Sequence, residues 1–297
     1  MSPRSEPRTL RLGLPKGSLQ ATTEKLFKLA GFDLRVASRS YYPDIDDPEL
    51  DCILIRAQEM ARYVEQGVLD AGITGIDWTL ENRAKVKQVA DLEAPWPNYN
   101  PVRWVVAVKH DSPIKKPGDL KGKRIATEVM NLTKAYLKEH GVTDAKIEFS
   151  WGATEVKPPV LADAIVDVTE TGSSLRANNL RVVDTVLSST PRFIANRDAY
   201  KDPWKRQKME RLVMLLEGAI RAASRVGLMM NVPRKAMAEV LALLPAMGSP
   251  TVSTLDDENW IAVNTVVEES QAKELIPSLR EAGARAIVEY PLTKIVD

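Results

Sequence analysis

Leu10, Leu12 and Leu14 alternate with Arg11 and Gly13, the period of a half-buried strand. Pro15-Lys16-Gly17-Ser18 then turns the chain. Leu19, Thr22, Thr23, Leu26, Phe27 and Ala30 follow at helical spacing, with Gly31 as the stop. The rhythm returns in residues 52–55 (strand), 58–66 (helix, closed by Gly67) and 70–74 (strand, running into Gly75). Strand, helix, strand predicts parallel βαβ units with helices covering the sheet. A proline-rich break at 94–101 precedes a second set, with strands at 104–108, 124–127 and 164–168 and a helix at 132–139. The break predicts two lobes, the second over about 102–182, and a crevice of the kind in which open α/β sheets bind ligands.

Near residue 225 the pattern changes. A strand at 227–232, a helix at 234–244, strands at 250–255 and 260–267 about the turn 256–259, a helix at 271–282 and a strand at 286–290 give the order βαββαβ, the ferredoxin-like split unit. A long helical pattern over 205–224 connects it to the rest, so the chain divides into 1–224 and 225–297. The two regions show no sequence repeat.

Composition narrows the class. A chain of 297 residues with 44 % hydrophobic and 27 % charged residues can bury a sizeable core. The net charge of +1 supplies no global field for nucleic acid or an acidic membrane, so any anion must be held by local geometry. The first eight residues have no apolar h-region, and no apolar run approaches the roughly 20 residues of a spanning helix. The one cysteine, Cys52, lies in an apolar strand and reads as a buried thiol. These features predict a cytoplasmic protein with neither nucleic-acid nor membrane partners.

The strongest chemical signal runs from Asp163 to Leu175, where an apolar strand delivers the chain to Thr171-Gly172-Ser173-Ser174 and a helical stretch follows. Backbone N–H groups at a helix N-terminus form an anion site, the hydroxyls add donors, and Gly172 lets a phosphate approach. Asp167 and Glu170 are placed to accept bonds from ribose hydroxyls or to hold Mg2+. The competing reading is an ordinary N-cap and turn. Two flanking carboxylates at the end of a buried strand favour function. Lys16, in a second strand-to-helix loop, is suited to a polyphosphate, although the spacing is not that of a P-loop and a plain turn competes. Thr74-Gly75-Ile76-Asp77-Trp78 is a third such loop, and Arg56 after a strand is a fourth candidate. Several loops on one sheet edge point to a nucleotide site. With two histidines, no zinc spacing and no Gly-x-Ser-x-Gly elbow, the chemistry need not use a nucleophile or a dedicated base; transfer of a phosphorylated ribose needs only positioning, charge stabilisation and a metal on the leaving group.

Taken together, Leu14-Pro15-Lys16-Gly17-Ser18, Asp70-Ala71-Gly72-Ile73-Thr74-Gly75, Gly122-Lys123-Arg124-Ile125-Ala126-Thr127 and the stretch from Gly152 to Asn178 resemble the long form of ATP phosphoribosyltransferase nearly end to end. The resemblance implies two catalytic lobes built like a periplasmic binding protein and a C-terminal ferredoxin-like regulatory domain that binds histidine. It implies attack of adenine N1 of ATP on ribose C1 of phosphoribosyl pyrophosphate, with Mg2+ as cofactor and feedback inhibition by histidine. Lys16, Arg56 and Asp167 become the catalytic set. Asp167, Glu170, Thr171, Gly172, Ser173, Ser174 and Leu175 become the phosphoribosyl site. Leu14, Lys16, Gly17, Arg56, Gly75 and Asp77 become the ATP site, and Ser249, Pro250 and Thr251 lie near bound histidine. It further implies a homo-oligomer, dimer to hexamer, with no separate regulatory subunit. Two other readings compete: a non-enzymatic solute-binding module, and a C-terminal domain that serves assembly alone.

Overall fold

Burial of Leu10 and of Leu12 to Pro15 sets β1 (Leu10–Lys16) inside a sheet; α1 (Gln20–Ala30) follows. A short antiparallel pair, β2 (Leu34–Arg35) and β3 (Asp44–Ile45), precedes β4 (Leu50–Arg56) and α2 (Ala57–Glu65). Next come β5 (Ala71–Gly75), α3 (Ile76–Glu81) and β6 (Lys87–Asp91). The computed structural model describes residues 8–37, 39–93, 101–245 and 250–296. β1 pairs in parallel with β4 and β5. Helix α2 lies close on this sheet because Gly13 and Gly72 have no side chain: a Cβ there would stand 2.3 and 2.6 Å from Met60 Sδ.

The second lobe holds β7 (Val102–Lys109), β8 (Arg124–Thr127), α4 (Met130–Glu139), β9 (Lys146–Phe149), β10 (Ala164–Thr169), α5 (Ser173–Ala177) and β11 (Leu180–Ser189). The chain then returns to the first lobe as β12 (Pro191–Ala195) and enters α6 (Pro203–Ala222). The sheet orders are β4-β1-β5-β12-β6 and β11-β7-β10-β8-β9. Each lobe therefore repeats one plan: second, first and third strands in a row, then a strand arriving from the other lobe, then the fourth. The arriving strands, β12 and β7, are antiparallel to their neighbours. This is the two-lobed periplasmic-binding-protein architecture, repeated in topology without a repeat in sequence.

The expected parallel units are present at β4-β1-β5 and β9-β8-β10, but both sheets are mixed. β6, β9, β11 and β12 were not legible in the pattern. β11 runs to Ser189, beyond 182, and two register irregularities against β7 break its alternation. Along β7 the period of two is clear. Trp104, Val106 and Val108 join one core layer; Val105 and Ala107 join the other, with Leu175 and Leu180.

A second compact unit begins at Met214, within α6, and includes residues 26–31. Its sheet contains β13 (Arg225–Pro233), β14 (Thr251–Thr254), β15 (Trp260–Glu268) and β16 (Arg285–Pro291), with α7 (Met237–Leu243) and α8 (Glu269–Glu281) between strands. All pairings are antiparallel in the order β14-β15-β13-β16, the ferredoxin-like arrangement. Val226, Leu228, Met230 and Val232 of β13 pack with Val240, Ala272 and Leu279. Among the described residues no helix is long and apolar enough to cross a membrane. Cys52 is buried, which pushes its thiol up to about 12 and leaves it unreactive.

Candidate active site

Lys16 and Arg56 stand side by side because β1 and β4 are parallel and in register: Lys16 pairs with Arg56 as Leu12 pairs with Cys52. Both close their strands at the carboxyl edge, where Gly75 ends β5. The Lys16 ammonium lies 3.6 Å from the centre of the Tyr41 ring, a cation–π contact that holds the long side chain without neutralising it. Arg56 is exposed and precedes α2 directly. A cavity of about 310 Å³ opens at this edge, with Lys16, Gly17, Arg56 and Gly75 on the first-lobe side. Glu128, Val168 and Glu170 line it from the second lobe.

Val168, near the end of β10, and Glu170, just after it, lead from the cavity into the next loop. Asp167 is half-buried. Burial pushes its carboxyl up to about 6, opposed by the Val168 amide, which donates to Oδ1 at 2.8 Å, and reinforced by Glu155 and Glu128. Gly172 caps α5 in the left-handed region, at φ 74°, and its amide donates to Thr169 Oγ1 at 2.8 Å. The Thr171 hydroxyl donates to Ser173 Oγ at 3.1 Å, and the Ser174 hydroxyl to Glu155. The loop is thus tied down through its side chains, and of the first-turn N–H groups of α5, which have no partner within the helix, that of Ser173 makes only a long bond to Thr171 Oγ1, at 3.4 Å. That is the arrangement an anion needs.

Asp77 is buried and serves a different purpose from a solvent-facing ligand. Trp104 Nε1 donates to Oδ2 at 2.7 Å, and Ser189 Oγ donates to Oδ1 at 2.7 Å. The carboxylate of the first lobe therefore holds two residues of the second, and the Trp78 ring meets Trp104 edge-on at 5.8 Å. Glu81 does similar work one turn later. It accepts from the Asn131 and Leu132 amides at 2.9 Å, capping α4 from the other lobe.

Of the residues named from sequence, Lys16, Gly17, Arg56, Gly75, Asp77 and Glu170 meet in one cavity. Asp167 and Thr171 to Ser174 continue from the same strand end without lining it. The side chains of Leu14 and Leu175 are core, 1 % and 2 % exposed, so either can act at the site only through its backbone. Pro250 and Thr251 lie at the start of β14, and Ser249 falls outside the described residues. Sequence reading missed Glu128 and Glu155. Glu128 follows β8 at the same strand edge that singled out Arg56 and Glu170, and that position was the available signal.

Known proteins resemble this chain over nearly its whole length. A family described as HisG: ATP phosphoribosyltransferase matches residues 56–218, and one described as HisG, C-terminal domain, matches residues 222–294. The chain is 57 % identical over 287 residues to the ATP phosphoribosyltransferase of Pelotomaculum thermopropionicum, covering 97 % of this chain and 99 % of that one. It is 56 % identical over 289 residues to that of Thermodesulfovibrio yellowstonii, with the same coverage. Among solved structures, the ATP phosphoribosyl transferase (HisG:HisZ) complex from Thermotoga maritima matches with a TM-score of 0.58 and 28 % identity, over 70 % of this chain and 99 % of that one. With both family regions present in one polypeptide and near-complete alignment to full-length relatives, the chain belongs to the long form of the ATP phosphoribosyltransferases, pentosyltransferases of histidine biosynthesis.

Proposed function

We propose that the protein joins adenine N1 of ATP to C1 of phosphoribosyl pyrophosphate, releasing pyrophosphate, and that residues 1–224 carry this reaction. One observation carries the reading: two cations, Lys16 and Arg56, line one cavity with Val168 and Glu170, at the strand end that leads into the Thr171–Ser174 loop. The loop holds the 5-phosphate through its N–H groups and hydroxyls, and Asp167 holds the ribose. Lys16 and Arg56 bind the phosphates of ATP or of the leaving pyrophosphate. The C1–N1 bond forms as the C1–O bond breaks, and the electron pair departs with pyrophosphate.

Among the described residues no group of three or more His, Cys, Asp or Glu side chains is arranged to hold a metal ion. Mg2+ typically binds through one or two carboxylates and substrate phosphates, and Asp167 and Glu170 fit that supporting part. When bound, Mg2+ neutralises charge on the leaving pyrophosphate.

The unit 225–297 is assigned as a histidine sensor, with Ser249, Pro250 and Thr251 near the effector. The reading further holds that the chain forms a homo-oligomer up to a hexamer, needs no separate regulatory subunit and works in the cytoplasm. The decisive test is pyrophosphate release from ATP, phosphoribosyl pyrophosphate and Mg2+, with and without histidine. Release suppressed by histidine supports both assignments. Release indifferent to histidine removes the sensor, and no release from folded protein removes the reaction.

A further inference from the structure

Glu128 has no role in the site as read so far, yet its position is built with care. It follows β8, and the next amide, Val129 N, donates to buried Thr127 Oγ1 at 3.0 Å. Two residues on, the α4 amides of Asn131 and Leu132 are held by Glu81 of the other lobe. The backbone on both sides of Glu128 is therefore pinned. Its side chain lines the cavity together with Gln58, Arg56 and Asp77, all three near enough to act on its charge. Burial raises its carboxyl above the usual range; Arg56 and Gln58 oppose that rise and Asp77 adds to it.

Two chemical facts set what such a group is for. A carboxylate offers about four acceptor positions, and the Gln58 amide could fill two of them at most. A half-desolvated carboxylate with acceptor capacity to spare is costly unless a donor arrives. The cavity beside it is lined by the apolar side chains of Leu19, Val102, Val168 and Trp78 as well as by the cations Lys16 and Arg56. A nucleotide whose phosphates meet the cations lays its base against these apolar side chains. Of the other carboxylates, Glu170 also lines the cavity and is assigned above to the metal and ribose side, Asp77 already accepts one buried donor on each oxygen, from Trp104 and Ser189, and Asp167 does not line the cavity.

We propose that Glu128 is the catalytic residue that recognises the 6-amino edge of the adenine and stabilises the charge the ring acquires. This rests on the reading above. As N1 bonds to C1, the purine gains a positive charge shared between N1 and the exocyclic nitrogen. The exocyclic N–H donates to Glu128, which orients N1 toward the ribose. The carboxylate then takes that proton, leaving a neutral N1-substituted imino base, while pyrophosphate carries away the electron pair of the C1–O bond. The same contact distinguishes a 6-amino purine from one without the amino group.

The test compares Glu128→Gln and Glu128→Ala with the wild type, using ATP and purine ribonucleoside triphosphate, which lacks the 6-amino group. We expect kcat to fall about 100- to 1000-fold in both variants, the size of loss typical for one electrostatic contact to developing charge. KM for phosphoribosyl pyrophosphate should stay within about twofold, and the thermal midpoint should hold in the isosteric Gln variant. Equilibrium binding should show wild type preferring ATP over the analogue, and Glu128→Ala losing about tenfold of that preference, a factor typical of one lost hydrogen bond to a charged group. A fall in kcat with the preference intact would make Glu128 a brace for Arg56 and Gln58 and overturn the proposal, as would wild-type kcat in both variants. Binding preferences can be read even in protein that releases no pyrophosphate, so failure of the overall reaction is distinguishable from failure of the Glu128 assignment.

Discussion

Trp104 Nε1 donates to Asp77 Oδ2 at 2.7 Å, and this one bond links the two lobes through a fully buried indole and a buried carboxylate. Ser189 completes the arrangement on the other oxygen. Asp77→Ala removes the acceptor from two buried donors and should cost about 2–4 kcal/mol of stability. Trp104→Phe should cost about 1–3 kcal/mol, because the carboxylate keeps Ser189. Urea unfolding of both single variants and the double variant measures the coupling. Additive losses would mean that the bond contributes nothing beyond packing.

Asp167 should make stability depend on pH in the direction opposite to a salt-bridged carboxylate. Its carboxyl titrates at about 6 in the folded chain, above the ordinary value near 3.8. Between those values the folded state holds a proton that the unfolded chain has released, so stability falls as pH rises through the window and the full penalty is present above it. Asp167→Asn removes the penalty. The variant should exceed wild type by roughly 3 kcal/mol at pH 8 and by only roughly 1 kcal/mol at pH 4.5. Denaturation midpoints at the two pH values decide it. A gap independent of pH would show that the carboxyl titrates normally in the fold.

Gly172 adopts φ 74°, and a Cβ there would stand 3.0 Å from Arg176 Nη1, the far end of a flexible side chain that can move. Gly172→Val should therefore fold, at a cost of about 1–2 kcal/mol for the left-handed backbone. The added side chain blocks approach to the loop. Affinity for phosphoribosyl pyrophosphate should be abolished while the circular dichroism spectrum is kept. Near-normal affinity in calorimetry would remove the loop from the phosphate site.

These residues also show which parts of the molecule were open to sequence reasoning. β10 announced itself because Ala164, Ile165 and Val166 are buried in succession, and the Thr171–Ser174 loop because small residues follow such a strand. β11 did not: its irregularities against β7 scramble the period of two. β6 is an edge strand with little burial, so its pattern carries no core signal. The part Asp77 plays in joining the lobes was not legible, because its two partners lie 27 and 112 residues away and no local pattern contains them. Glu128 offered only its place after a strand, since Arg56 and Gln58 approach it from another lobe.

Glu81 offers a way to disturb the catalytic loop without touching the cavity's charge. Its carboxylate accepts the Asn131 and Leu132 amides, and its own carbonyl accepts Asn131 Nδ2 at 2.8 Å, so α4 begins on a cap supplied by the opposite lobe. Val129, at the helix's own cap position, offers no side-chain acceptor. Glu81→Ala should therefore cost about 1–2 kcal/mol, the usual worth of a lost N-cap. Because the frayed turn directly follows Glu128, the loss should also reach chemistry: kcat should fall several-fold, with KM for phosphoribosyl pyrophosphate little changed. Glu81→Gln keeps one acceptor oxygen and should recover most of both losses. If the Ala variant is destabilised but turns over at the wild-type rate, the anchoring of α4 supports the fold alone, and Glu128 is held in place by Gln58 and the Thr127–Val129 turn without it.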